Sequence, residues 1–261
     1  MRSKTIITTA GRPDSNTYKL AEIASSELGF PIIEREKRSV LRMQREYEAD
    51  VLVAGKDRYE LFCEGMEKPL FFHPNSAAFR LKRILKGETD PLIEAGELSE
   101  GDTFLDCTLG LASDSVVASY IIGAEGKCLG LEADPTVAFL VKTGLRRFPA
   151  TFEALETAMQ KVEVVHSEAI QFLENQPNRS WDVVYIDPMF QTPIEESSNF
   201  KPLRQAGVHT SLTEKWMEEA FRVCNRRVVV KDRFDSNVFS QYAMQRKIRP
   251  NTKFHFGYLS R

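Results

Sequence analysis

Acidic residues recur at the ends of apolar runs in the second half of this chain. TFLDC carries Asp106, KCLGLE ends on Glu132, VEVVH leads into Ser167 and Glu168, and VVYI runs straight into Asp187. The stretch DPMF (187–190) has the clearest chemistry. Asp187 offers an acceptor carboxylate, and the proline at 188 stiffens the turn and leaves its own carbonyl free. Phe190 offers a ring face. Together they suit holding the exocyclic amino group of a flat heterocycle and stacking its ring. The plain alternative is an acid opening a surface turn, with Phe190 in the core. Glu132 lies 22 residues beyond Gly110, near the spacing at which an acid holds two ribose hydroxyls; otherwise it is a solvated acid. Glu168 or Ser167 could meet an adenine edge, and Ser167 reads equally well as a helix N-cap.

The stretch after Asp106, DCTLGLASDS (106–115), contains Gly110, Ser113 and Asp114. Gly110 lets the backbone approach a ligand and turn into a helix. GxGxxG is absent, with Ala112 two residues after the lone glycine, which argues against a tight pyrophosphate cradle. Asp106 would repel phosphate and suits a ligand carrying a cationic amine. An ordinary strand-to-helix turn explains the same residues. Lys231 closes VVVK, where it could pair an acid or a nucleic-acid phosphate, or be a plain surface lysine. The histidines at 73, 166, 209 and 255 are scattered. No Ser-His-Asp order, GxSxG or P-loop is present, and His166 reads as a satisfied core histidine.

These residues need elements to position them. From about residue 90, strands at 103–107, 127–132, 162–166, 181–187 and 226–231 alternate with helices near 113–122, 135–146, 168–174 and 213–223, before a final hairpin-like pair. VVYI and VVV are apolar on consecutive residues, as a strand covered on both faces requires. The alternation predicts an open, mostly parallel sheet with helices on both sides, and in such a sheet ligands bind beyond the carboxyl ends of the strands. The earlier part predicts strands at 5–9, 50–54, 58–64 and 69–73. It also predicts helices at 15–28, with Asp14 or Ser15 near the N-cap, at 39–48, and at 76–85 with Asn75 as N-cap.

Composition limits the function classes. The chain has 261 residues, 42% hydrophobic and 28% charged, with net charge −2 and pI about 6.2. It is not globally basic, so nucleic-acid binding needs a local patch; Arg80, Lys82, Arg83 and Lys86 fall in one predicted helix. The four cysteines form no CxxC pair and no histidine stands at ligand spacing from them, so no metal site is expected and reduced thiols in a cytoplasmic protein are. The N-terminus lacks a signal-peptide run. No stretch approaches the roughly 18 apolar residues of a membrane span. Oligomeric state is not legible.

In this order the residues resemble the class I S-adenosylmethionine-dependent methyltransferases, and more narrowly the bacterial small-subunit rRNA guanine-N(2) methyltransferase family. DCTLGLASDS (106–115), LEADP, YIDPMF (185–190) and RVVVKDR (227–233) carry the resemblance, with NSAAFRLKRILKGET (75–89) matching more loosely; it covers roughly residues 58–261. It departs where the family's GLGRD is GLASD here and where a lysine-rich stretch after DPMF becomes QTPIEESSNFKPLRQ.

The resemblance implies a Rossmann-like methyltransferase fold, a mostly parallel seven-stranded sheet with helices on both faces. It implies a small N-terminal α/β subdomain over 1–89 and the methyltransferase domain over 90–261. The implied cofactor is S-adenosyl-L-methionine, with Asp106 and Gly110 in its turn and contacts at Ser113, Asp114, Glu132, Ala133, Glu168, Ala169 and Asp187. Asp187, Pro188 and Phe190 are the catalytic candidates. Arg80, Arg83 and Lys231 are the candidates for the substrate side. The implied reaction is N-methylation of a guanine in ribosomal RNA or the small ribosomal subunit. Open alternatives are transfer to a small molecule or protein by the same cofactor, and a cofactor- or RNA-binding domain without turnover.

Overall fold

The computed structural model describes residues 4–64, 66, 68–188, 212–246, 248 and 252–261. Phe190 and the QTPIEESSNFKPLRQ stretch lie outside them. The described residues divide into two compact units, one holding the chain up to His73 together with Asp134–Phe148, the other holding the remainder.

In the first unit, strands β1 (Lys4–Thr9) and β2 (Ala49–Ala54) pair in parallel and β3 (Tyr59–Phe62) runs antiparallel to β2. A parallel pair needs a crossover, and α1 (Ser15–Leu28) and α2 (Val40–Tyr47) lie in it. Asp14 caps α1 in a reciprocal pair: Thr17 N donates to its carboxylate and Asp14 N donates to Thr17 Oγ1, each at 2.9 Å. Strand alternation places Ile6, Val51 and Val53 against Met43. The predicted strand at 69–73 is not formed. Leu70 and Leu61 exchange one pair of backbone bonds, at 2.7 and 2.8 Å, and Pro69 has no N–H with which to extend the ladder.

The second unit is built on strands β4 (Thr103–Asp106), β5 (Lys127–Glu132), β6 (Val162–His166), β7 (Trp181–Ile186), β8 (Cys224–Arg233), β9 (Gln245–Arg246) and β10 (Phe254–Ser260), in the order β6-β5-β4-β7-β8-β10-β9. The first five in that order are parallel; β10 is antiparallel to β8 and β9. The chain steps outward from β4 to β5 and β6, then returns to β7 on β4's other side. The order therefore reverses between β4 and β7, where open α/β sheets take ligands.

Helices cover both faces. Leu105, Leu131, Val184 and Val230 pack with Leu173 of α8 (Ala169–Glu174) and with Trp216 and Ala220 of α9 (Glu214–Val223). On the opposite face Phe104, Tyr185 and Phe256 stack in succession, with centroids 5.8 and 6.4 Å apart. Helices α4 (Pro91–Gly96) and α5 (Ser113–Ile122) pack there, and α3 (Asn75–Ile84) and α7 (Glu153–Lys161) lie against α5. Val183 through Ile186 are therefore almost fully enclosed, which is the reason VVYI does not alternate.

Several local expectations change. Asn75 is the first residue of α3 rather than its cap, because Ala78 N already bonds Pro74 O at 2.8 Å. Glu168, not Ser167, stands at the N-cap of α8; the Ser167 hydroxyl turns to the carbonyl of Glu168 at 3.1 Å. His166 is exposed rather than a core histidine, its ring nitrogen 3.2 Å from Ala133 O. The helix expected at 135–146 forms as α6 (Pro135–Arg147), and helices α4, α7 and the short α10 (Val238–Gln241) are additions.

Gly130 lies beneath the turn that follows β4. A methyl group there would sit 2.2 Å from Leu109 Cδ1 and 3.0 Å from its Cγ, while Leu109 N is held to Leu131 O at 2.9 Å. Gly130→Ala is expected to cost about 1–3 kcal/mol of stability through overpacking, read as a lowered urea midpoint.

Candidate active site

The turn from β4 into α5 is organised from inside. Asp106 is 1% exposed. Its carboxylate accepts from Thr108 N at 2.9 Å, Thr108 Oγ1 at 3.3 Å and Ser115 Oγ at 2.6 Å. Where the residue type suggested an acid facing a cationic ligand, both oxygens are engaged within the chain. Thr108 Oγ1 in turn accepts from Asp187 N at 2.7 Å, and Cys107 N donates to Tyr185 O at 2.9 Å. The β4 turn and the end of β7 are thus one bonded unit. Gly110 and Ala112 have φ of 50° and 60°. Ala112 keeps the left-handed geometry that glycine would take without strain, at about 1–2 kcal/mol.

Asp114, in the first turn of α5, is the hub of the site and is 8% exposed. It accepts from Arg80 Nη1 at 2.5 Å, Tyr185 Oη at 2.9 Å and Lys231 Nζ at 3.0 Å. Lys231 also donates to Asp187 at 2.6 Å. Arg80 grips Asp90 through Nε and Nη2, both at 2.8 Å, a bidentate pairing that fixes the guanidinium plane. Two cations thus serve three carboxylates on one face of the sheet.

The environment separates the acids. Burial pushes Asp106 up and the hydrogen bonds from Ser115 and Thr108 pull it back, leaving it at about 7. Burial also pushes Asp187 up, opposed by Lys231 and reinforced by Asp114, to about 6. Burial works on Asp114 in the same direction, but Lys231 and Arg80 outweigh it and hold it well below the carboxylate range. Lys231 resists deprotonation because its two carboxylates overcome the cost of burying its charge.

The structure brings Asp106, Gly110, Ser113, Asp114, Asp187, Lys231 and Arg80 together around the switch point. Pro188 is buried behind Asp187. Glu132, 9% exposed, ends β5 and its carbonyl accepts from Ser167 N at 3.0 Å. Ala133 follows it. Glu168 is exposed at the start of α8, with Ala169 buried behind it. Arg83 stands apart, its Nε donating to Glu88 at 2.7 Å. Arg80, expected on the substrate side, has Nε, Nη1 and Nη2 all turned to carboxylates. Sequence reasoning missed Asp90, Thr108 and Tyr185. The Asp90-Pro91 pair, an N-cap followed by proline at the first helical position, was a readable signal for α4.

No side chain caps α5, so its first-turn N–H groups can receive an anionic group, helped by the helix dipole. Glu132 can take a vicinal diol. Asp187 and the Pro188 carbonyl present acceptors to a donor such as an amine.

Asp106 and Asp114 affect stability with opposite sign. Asp106 is raised from the ordinary 3.8 to about 7, so stability present below about pH 4 is lost as pH rises towards 7; Asp187 acts likewise. Asp114 is lowered, so its contribution is lost as pH falls below about 4. Asp106→Asn, which holds the uncharged state, is expected to lose less stability than wild type as pH rises from about 4 to about 7, measured by urea unfolding at each pH.

The chain as a whole has recognisable relatives. The family model described as "Putative SAM-dependent methyltransferase" matches residues 36–255. "Uncharacterized protein YpiP" of Bacillus subtilis (strain 168) is 42% identical over 252 residues, covering 97% of this chain and 98% of that one. "Ribosomal RNA small subunit methyltransferase J" of Shewanella amazonensis is 31% identical over 134 residues, covering 49% of this chain and 52% of that protein, about half its length. The crystal structure of the SAM-dependent methyltransferase NGO1261 from Neisseria gonorrhoeae shares the fold, with a TM-score of 0.62 at 18% identity, covering 98% of this chain and 95% of that one. The chain belongs to the SAM-dependent methyltransferases, with a class I Rossmann-like fold and S-adenosylmethionine as its cofactor.

Proposed function

We propose that this enzyme transfers the methyl group to an exocyclic amino nitrogen of a guanine in small-subunit ribosomal RNA, in the cytoplasm. The observation that carries the reading is Asp187, a carboxylate at the switch point, anchored by Lys231 at 2.6 Å and followed by the Pro188 carbonyl. The relatives named ribosomal RNA small subunit methyltransferase J support an RNA acceptor. The first turn of α5 at Ser113 and Asp114, with Gly110 before it, is the place for the amino-acid portion of the cofactor. Glu132 and Ala133 suit its ribose, and Glu168 and Ala169 border its adenine.

S-adenosylmethionine supplies a methyl group already activated on a sulfonium, so the residues mainly contribute alignment, which reaches about 7–11 kcal/mol in favourable cases. The lone pair of an exocyclic amine is delocalised into its ring. Hydrogen bonds from the amine to Asp187 and to the Pro188 carbonyl favour pyramidal nitrogen, and they strengthen as positive charge develops on it. The nitrogen forms its bond to carbon as the carbon–sulfur bond breaks, then sheds a proton, for which Asp187 is an acceptor. The site also carries more carboxylate than cation, which favours a positively charged donor. A base in folded RNA must be splayed out to reach it. The exposed basic side of α3, with Lys82 and Arg83, suits the RNA backbone.

The test uses small ribosomal subunits and rRNA from cells lacking the protein, with labelled cofactor. Label is expected on a guanine amino group by mass spectrometry; label only in protein or metabolites would sink the RNA reading. Asp187→Ala is expected to lower kcat by about 100-fold or more, with cofactor affinity by calorimetry retained. The wild-type rate should fall as pH drops below about 6, where Asp187 gains its proton.

A further inference from the structure

Residue type alone suggested Lys231 for an acid or a phosphate, and the fold narrows that choice. Val228 and Val230 of β8 pack with Trp216 and Ala220, so strand alternation turns Lys231 to the opposite face. That is the face on which Tyr185 stacks with Phe104 and Phe256. β7 and β8 run in parallel with Ile186 opposite Val230, so the next position along each strand sets Asp187 beside Lys231. The ammonium donates to Asp187 Oδ2 at 2.6 Å and to Asp114 Oδ2 at 3.0 Å. It lies 5.8 and 6.0 Å from the ring centroids of Phe254 and Phe256, and the side chain is 21% exposed. Its charge is thus answered by two carboxylates inside the protein, not by a phosphate.

Asp187 is gripped unevenly. Its backbone N–H is fixed to Thr108 Oγ1 at 2.7 Å and its Oδ2 to Lys231, while none of the described residues donates to Oδ1. The side chain is 23% exposed. An aspartate carboxyl turns with little resistance about its Cβ–Cγ bond, so an untethered Asp187 would present its oxygens in many directions. Lys231 is itself held from the far side by Asp114, which Arg80 and Tyr185 Oη fix at 2.5 and 2.9 Å. The tether on Asp187 therefore runs back through Asp114 to α5 and α3.

We propose that Lys231 is a positioning residue for methyl transfer: it holds Asp187 by one oxygen, so that Oδ1 meets the acceptor amine and then receives its proton. The inference rests on the amino-nitrogen reading above and adds to it a residue that acts through Asp187. As nitrogen bonds the methyl carbon, the carbon–sulfur electron pair leaves with sulfur. The N–H proton then passes to Oδ1, giving a neutral methylated amine and a protonated Asp187, which loses the proton to water. Lys231 also sets the pH at which Oδ1 can accept. Burial pushes the Asp187 carboxyl up, Lys231 opposes it, and Asp114 and Asp232 reinforce it. Asp106 on the β4 turn adds like charge, and Arg80 and Tyr185 face Asp187 through Asp114. Without the ammonium, Asp187 keeps its proton to higher pH.

The experiment follows single-turnover methyl transfer to undermethylated small ribosomal subunits from about pH 5 to about pH 9, with cofactor Kd by calorimetry and folding by circular dichroism. Lys231→Met and Lys231→Gln are expected to slow transfer about 10-fold or more near neutral pH and to displace the acid limb upward by about 1 pH unit or more, with cofactor Kd within about threefold of wild type. Lys231→Arg keeps the charge and is expected to leave the limb within about 0.5 pH unit of wild type. An unmoved limb in the folded neutral variants overturns the assignment, and so does a limb displaced equally in Lys231→Arg. Where neither neutral variant folds, Lys231→Arg decides: a limb in place supports the assignment and a displaced one overturns it. A loss of cofactor affinity matching the fall in rate also overturns it, by placing Lys231 on the cofactor side. Wild type that puts no label on an amino nitrogen of subunits or rRNA overturns the functional reading itself.

Discussion

A single buried carboxylate, Asp114, holds the second unit's site together. Its charge is tolerable only because Arg80 and Lys231 stand at 2.5 and 3.0 Å. Removing one partner of such a group typically costs about 3–5 kcal/mol, because a charge is left uncompensated in low dielectric. Through those two cations and the Tyr185 hydroxyl, Asp114 ties α5 to α3, β7 and β8. The end of β7, where Asp187 stands, is thereby positioned by residues from four elements rather than by its own turn.

The same network divides the acids by role. Asp106, Asp114 and Asp187 share one face of the sheet, yet Asp114 is held ionised while Asp106 and Asp187 sit at about 7 and about 6. Desolvation acts on all three; the difference is the number of cations within reach. Neighbouring carboxylates pushed apart in this way supply distinct functions from one residue type. Asp106 braces a turn, Asp114 anchors the helix, and Asp187 remains able to take a proton near neutrality.

Much of the fold was legible. Consecutive apolar residues in VVYI and VVV announced a sheet covered on both faces, because a strand with water on one side alternates. The strand-end acids marked where the carboxyl ends converge. The resemblance carried by DCTLGLASDS and YIDPMF pointed to the family. The misreadings have local causes. PLFFH has strand composition but a proline where the ladder needs a donor. His166 ends an apolar run, yet it ends β6, an edge strand, where its ring reaches solvent. Ala112 takes a left-handed φ of 60° although it is not glycine, because the surrounding bonds over-determine the turn.

By itself the sequence determined the alternating strands and helices that carry the site, the acids at the strand ends and the family, because periodicity, capping and turn chemistry act between residues close along the chain. Tertiary structure alone decided that Arg80 faces Asp90 and Asp114, and that Lys231 bridges two carboxylates. Arg80 and Asp114 are 34 positions apart, and Lys231 and Asp114 are 117. Coulomb attraction and desolvation depend on distance and burial in space, and neither quantity exists until the chain has folded.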